Sequence, residues 1–272
     1  MSVAASTQFE FSLIRIQGID AHKFLQGQLT CDLNELSVGK AILGAQCNPK
    51  GRVIHNFFLG QLSDTTFIMQ LPQNLVSIAI AALKKYAVFF KVSIEEEEDF
   101  KILFTQGNNT LPEALVHIEA TPDVNIEWVQ KESSATSATS LSESLESLLK
   151  HGIAFVDLAS TEQFTPEDLG LVKSGAINFK KGCYTGQEIV ARMHYKGAHK
   201  RGIGLFSIEG TLEDINDTSL TVDGKTIGTL INYVERDNQT FILASIPNDY
   251  ATDANVCLTN RTLTPLPLSP AS

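Results

Sequence analysis

The chain is poor in cysteine, has no long uncharged apolar run and is short of positive charge, and each shortage removes a class of protein. Its four cysteines, Cys31, Cys47, Cys183 and Cys257, lie far apart with no C-x-x-C pair. That spacing gives neither a zinc signature nor a small disulfide framework, and it fits reduced thiols in a cytosolic protein. The most apolar stretch, Leu75 to Phe90, is interrupted by Lys84 and Lys85, which argues against a membrane span. The first residues, MSVAASTQFEF, lack the basic segment and apolar run of an export signal. A cytoplasmic protein is expected. Lysine and arginine number 21 against 31 aspartates and glutamates, a formal net charge of -10. A surface of that sign repels nucleic acid and anionic lipid, so no membrane partner and no strong direct nucleic-acid binding are expected.

What is present is a globular composition. The chain is 43% hydrophobic over 272 residues, enough for a sizeable core divided among two or three units. Phe9 to Ile16 alternates like a strand, and Asp20 is placed to cap a helix running to about Thr30. CNPKGRVIHNFFLG holds a Pro-Lys-Gly turn leading into an apolar strand, with Thr65 to Leu71 as its hairpin neighbour. Pro72 opens a helix reaching roughly Ala87, Phe89 to Ile94 reads as strand, and EEEED as a solvated turn. Lys101 to Thr105 and Asn125 to Val129 are weaker strands flanking a short helix at Pro112 to His117. This rhythm suits an α+β arrangement. Serine, threonine and alanine dominate ESSATSATSLSES, which reads as a linker or mobile loop, and a helix from Leu141 stops at Gly152. Beyond Gly202, short alternating strands spell a small β-barrel or sandwich.

The residues with chemistry cluster in KGCYTGQEIVAR, positions 181 to 192. Gly182 and Gly186 allow a tight turn and close backbone approach. A helix over Gln187 to Met193 would direct its unpaired N–H groups and positive dipole end at Cys183, beside Lys180 and Lys181, a setting that favours a reactive thiolate. The other reading is a small apolar residue tucked under the loop. Gln187 and Glu188 either bind the amide edge of a ring or cap the helix. From Lys173 to Gly202, seven lysines and arginines face Glu188 alone, which puts +6 on this stretch and leaves -16 on the remainder. Such a patch either meets an anionic ligand or solvates a surface loop. Arg192, Lys196, Lys200 and Arg201 form its trail.

KGCYTGQEIVAR closely resembles the signature of the YgfZ family of folate-binding proteins, relatives of the glycine-cleavage T-protein. GIDAHKFLQGQLTCDL resembles the family's N-terminal helix, GAQCNPKGRVIHNFFL its substrate-side turn and strand, and KTIGTLINYV its C-terminal domain. The resemblance implies an α+β fold with three domains in a ring around a central pocket for tetrahydrofolate or a derivative, and a C-terminal β-barrel. Residues 1–40 with 141–200 would form one domain, 41–130 a second, ferredoxin-like one, 131–140 a linker and 201–272 the barrel. It further implies an accessory role in assembling or repairing iron-sulfur clusters, with iron-sulfur proteins or assembly factors as partners and an indirect effect on tRNA modification. In the family the motif cysteine is the residue tied to function, and the resemblance places it here at Cys183. Phe11, Asp168, Lys181, Gly182, Tyr184, Gly186, Gln187, Glu188 and Arg192 are the implied folate contacts, the basic trail meeting the carboxylates of its glutamate tail. No metal ligand is implied. The alternative is a folate-dependent aminomethyl or one-carbon transferase. The T-protein has an acidic residue after its turn where this chain has His55 and Asn56, which leaves enzymatic activity open, and Lys150 stands where relatives often carry a glutamate. His55 is either a base or a hydrogen-bonded structural residue.

Overall fold

In the computed structural model the residues described are 10–107, 110–197, 200–212, 215 and 217–270. Phe9 and the rest of 1–9 therefore lie outside them. Alternation along the N-terminal segment forms β1 at Phe11–Gln17, and the apolar positions Ala21, Phe24 and Leu25 form the buried side of α1, Ala21–Gln28. Asp20 precedes α1 but does not cap it; its carboxylate instead accepts the backbone N–H of Lys91 at 2.8 Å. The expected hairpin is present as β3, Val53–Ser63, against β4, Thr66–Pro72, with β2 at Ala41–Cys47 on the other flank of β3. Helix α2 spans Val76–Ala87.

After α2 the chain departs from expectation. Phe89 is exposed at the helix end, Phe90 turns in against Phe24 at 5.3 Å, and the strand β5 begins only at Ser93 and runs to Glu97. The glutamate run thus continues β5 rather than closing it as a solvated turn, because Glu97 is buried in an ion pair with Arg15. Pairing puts the five strands in the order β2-β3-β4-β1-β5. Strand β1 therefore shares a sheet with residues 41–72 and 93–97, whereas the expected division grouped 1–40 with 141–200.

A second sheet has the order β6-β8-β7, from Phe100–Thr105, Asn125–Gln130 and Val116–Glu119. The last of these replaces the helix expected at Pro112 to His117. Its Val116 packs into the sheet interface, and the His117 N–H bonds the Gly39 carbonyl at 3.0 Å, contacts that a helix would forfeit. Trp128 joins the two sheets: it is fully buried, donates to Gln70 at 2.6 Å, and lies so close to Gly60 that a Cβ there would meet the ring at 2.5 Å.

The serine-rich segment leads into α3, Leu141–Lys150, which is held by a capping box of Ser140 and Glu143 and ends before Gly152 at φ +72°. Leu145, Leu148 and Leu149 bury its apolar face, worth roughly 1.5–3 kcal/mol each. Helix α4 spans Gln187–Lys196. The C-terminal region is a seven-stranded, barrel-like sheet of β9 (Arg201–Glu209), β10 (Ser219–Val222), β11 (Lys225–Arg236), β12 (Gln239–Pro247), β13 (Cys257–Leu258), β14 (Arg261–Thr262) and β15 (Thr264–Leu266). Its order is β14-β13-β10-β11-β12-β9-β15, and Phe206, Ile242 and Leu258 belong to a core of its own. Among the described residues no helix is long and apolar enough to cross a membrane.

Candidate functional site

Three stretches far apart in sequence meet around Cys183. Asn48 accepts the backbone N–H groups of Lys50 and Arg52 at 2.9 and 3.0 Å, closing the turn after β2, and Gly51 takes φ +70° there. That turn lies on the start of α4. A Cβ on Gly51 would strike Ile189 at 2.9 Å, and one on Gly186, the left-handed residue that opens α4, would strike the Asn48 carbonyl at 2.5 Å. The third stretch is the end of α1. Lys181 is buried, and its ammonium donates to the carbonyls of Gln26, Leu29 and Cys31 at 2.8, 2.7 and 2.7 Å. Thr185 N–H adds a bond to Gly27 at 3.3 Å.

This geometry leaves Cys183 exposed beside an open hollow lined by Pro49, Tyr184, Gln187 and Ile189. The reading that tucks the thiol under the loop is excluded. Cys31 and Cys47 are the buried thiols, and desolvation pushes both up to about 12. Lys181 does not serve the thiol or a ligand in solution, since its three donors are all committed to carbonyls, and burial lowers its own pKa. Tyr184 is buried with its hydroxyl pKa raised by desolvation. Gln187 and Glu188 do not cap α4, which has no side-chain cap. Gly182 is not required for space, because a Cβ there would meet nothing within 4 Å. Arg192 is exposed on α4.

A more enclosed space lies elsewhere. A cavity of about 450 Å³ sits where all three sheets and the end of α3 converge. Leu43, Phe58, Ile118, Ile153, Ile203 and Leu268 give it apolar walls, while Glu119, Thr121, His151, Lys173, Ser174 and Ser269 supply polar groups. Cys183 and the implied contacts Phe11, Asp168, Lys181, Gly182, Tyr184, Gly186, Gln187, Glu188 and Arg192 are all absent from its lining. Phe11 packs edge-on to Phe155 at 5.1 Å and borders a different hollow, against β6. Asp168 accepts from Thr165 at 2.9 and 2.7 Å and lies 3.5 Å from Arg201 and 3.9 Å from Arg52, a brace between segments. His151 and Glu119 escaped sequence reading because they come from the ends of α3 and β7, with no shared motif. Lys173 was visible only as one charge in the basic stretch.

His55 and Asn56 are both structural. Strand alternation puts His55 on the face of β3 opposite Phe58, away from the cavity. It is fully buried, bonds Gln46 at 2.8 Å, and burial drives its pKa down to about 3. Asn56 donates to the Ala154 carbonyl at 2.7 Å and accepts from Val156 N–H at 2.8 Å. From the other side Asn232 of β11 binds both backbone groups of Phe155, at 2.7 and 2.9 Å. Lys150 pairs with Glu146 and lies over Phe241.

No family model matches the chain. Among curated proteins it is 30% identical over 280 residues to tRNA-modifying protein YgfZ of Aliivibrio fischeri, covering 93% of this chain and 87% of that protein. With the protein of the same name from Vibrio atlanticus it shares 31% identity over 295 residues, covering 96% and 90%. Among solved structures, glycine cleavage system aminomethyltransferase T from Bartonella henselae superposes with a TM-score of 0.66 at 17% identity, covering 95% of this chain and 84% of that one. The last likeness establishes the fold.

Proposed function

The chain belongs to the YgfZ family, and from that membership we propose that it is a tetrahydrofolate-binding accessory factor for iron-sulfur cluster assembly or repair that supports tRNA modification indirectly. The observation that carries the folate part is the central cavity. Its volume of about 450 Å³ falls within the range of small-molecule sites. Apolar walls interrupted by a few polar groups suit a flat ring system with amide edges and a carboxylate. Phe58, Ile153 and Ile203 would enclose the rings, and His151, Glu119 and Lys173 would meet the polar edges and the charge. Bound tetrahydrofolate carries or accepts a one-carbon unit on its ring nitrogens. The protein's own part is to enclose, orient and exclude water.

The iron-sulfur part rests on Cys183, an exposed thiol fixed by three converging segments. One thiolate cannot hold a cluster in the usual four-cysteine manner, so any cluster contact is shared with a partner. Folate site and thiol are then separate places on one molecule, not one reactive pocket. Transfer chemistry has the fold in its favour, but His55 and Asn56 are committed to internal hydrogen bonds and neither supplies a carboxylate to the cavity. Calorimetric titration with tetrahydrofolate tests the folate part: saturable one-to-one binding is expected, and no heat at millimolar ligand overturns it. A Cys183→Ala variant that fully restored cluster-enzyme activity in a deletion strain would remove the iron-sulfur part.

A further inference from the structure

The segment KKYAVFFKVSIEEEED, residues 84–99, runs from the last turn of α2 through β5 and changes charge sign halfway along. Its first half holds Lys84, Lys85 and Lys91 and no acid; its second half ends in Glu95, Glu96, Glu97, Glu98 and Asp99 with no base. All of these are exposed except Glu97, which is spent on Arg15. In the basic half Phe89 is 94% and Val88 76% exposed, the two most exposed large apolar side chains among the described residues. They are held outward by firm anchors on either side. Phe90 packs on Phe24 at 5.3 Å, the Lys91 N–H donates to Asp20 at 2.8 Å, and a Cβ on Gly18 would stand only 2.0 Å from the Lys91 carbonyl oxygen. Those contacts also bring Ile19, another exposed apolar side chain, to the flank of Lys91.

Strand β5 lies at the edge of the five-stranded sheet and pairs with β1 alone among the described strands. The outer backbone groups of such an edge are a template for a further strand. Charges of a single sign along it would oppose every pairing with a second copy. Here the sign changes, so the opposition is selective. A parallel approach of two copies sets glutamate on glutamate, whereas an antiparallel one sets the lysine half of each on the glutamate half of the other. With a twofold axis between Ile94 and Glu95, Lys91 of each copy stands opposite Glu98 of the other, and Val88 and Phe89 lie at the two ends of the paired stretch.

We infer that this edge is a self-recognition surface: two copies of the chain associate antiparallel along β5, with Phe89 and Val88 as apolar anchors and lysine–glutamate pairs fixing the direction. A contact of this symmetry closes on itself as a dimer. The paired stretch is short and its charges are exposed, so the dimer is weak and salt-sensitive. Sedimentation velocity on the full chain, from micromolar to near-millimolar concentration, tests this. A reversible monomer–dimer equilibrium is expected, weakened by added salt and at least about tenfold by Phe89→Ser. Two charge variants read the direction. Lys84→Glu with Lys85→Glu and Lys91→Glu makes the segment wholly acidic, and Glu95→Lys with Glu96→Lys and Glu98→Lys makes it mostly basic. Each should be monomeric alone, and an equimolar mixture of the two should recover the dimer. A chain that stays monomeric throughout, a dimer indifferent to Phe89→Ser, charge variants that dimerise alone, or a mixture that stays monomeric overturns the inference.

Discussion

At the scale of residues, the side chains that carry the most chemical potential on paper are the ones most committed to structure. His55 is held neutral because burial drives its pKa from 6.5 down to about 3. Below pH 6.5 the unfolded chain takes up a proton that the folded imidazole refuses, so this contribution to stability is present above that value and is lost as pH falls. Between about pH 8 and pH 5 the loss should be about 2 kcal/mol. Urea unfolding of the unaltered chain and of His55→Gln at both values checks it; equal acid sensitivity in the two would refute the assignment. Lys181→Met removes the donor from two buried carbonyls, of Leu29 and Cys31, and from the half-buried one of Gln26, and should cost about 3 kcal/mol in the same assay. A loss below about 0.5 kcal/mol, the range of surface changes, would mean that Lys181 is not the strap between the Cys183 loop and α1.

At the scale of elements, the site is the docking of the Asn48–Gly51 turn on the N-terminal end of α4. Two glycines of the same motif separate geometry from resemblance. Gly186→Ala puts a Cβ 2.5 Å from the Asn48 carbonyl at a φ of +85°, and should destabilise by about 2 kcal/mol or more. Gly182→Ala meets nothing within 4 Å and should stay within about 0.5 kcal/mol. Thermal unfolding of the pair reads the contrast, and similar losses in both would show that the turn does not rest on α4 as described. The exposure of Cys183 depends on that contact, which holds the loop away from the core.

For the molecule as a whole, residues 154–156 are the joint between the five-stranded sheet and the barrel. Asn56 on β3 and Asn232 on β11 grip successive peptide groups of this segment from opposite sides, and Phe155 between them is fully buried. Each Asn→Ala change orphans buried backbone groups and should cost about 2 kcal/mol or more. Because the two act on one segment, a double-mutant cycle should depart from additivity by at least about 0.5 kcal/mol. Additive losses would mean that the sheet and the barrel hold the joint independently.

Local pattern and tertiary closure divide what this chain reveals. The barrel strands, the hairpin β3–β4, helix α3 with its Gly152 stop and the start of α4 at Gly186 were all legible, because a period of 2 or 3.6 and a turn residue are properties of neighbours in sequence. The same reasoning failed at Val116–Glu119 and at the glutamate run, where pairing partners on distant strands overrode local preference. It also read Lys181 as a charge beside the thiol, since nothing near it in sequence tells of the carbonyls about 150 positions away that bury it. The central cavity was illegible for the same reason: its lining comes from β2, β3, β7, α3, the 170–174 segment, β9 and the C-terminal tail, and only closure of the three sheets on one another brings those side chains to a common space.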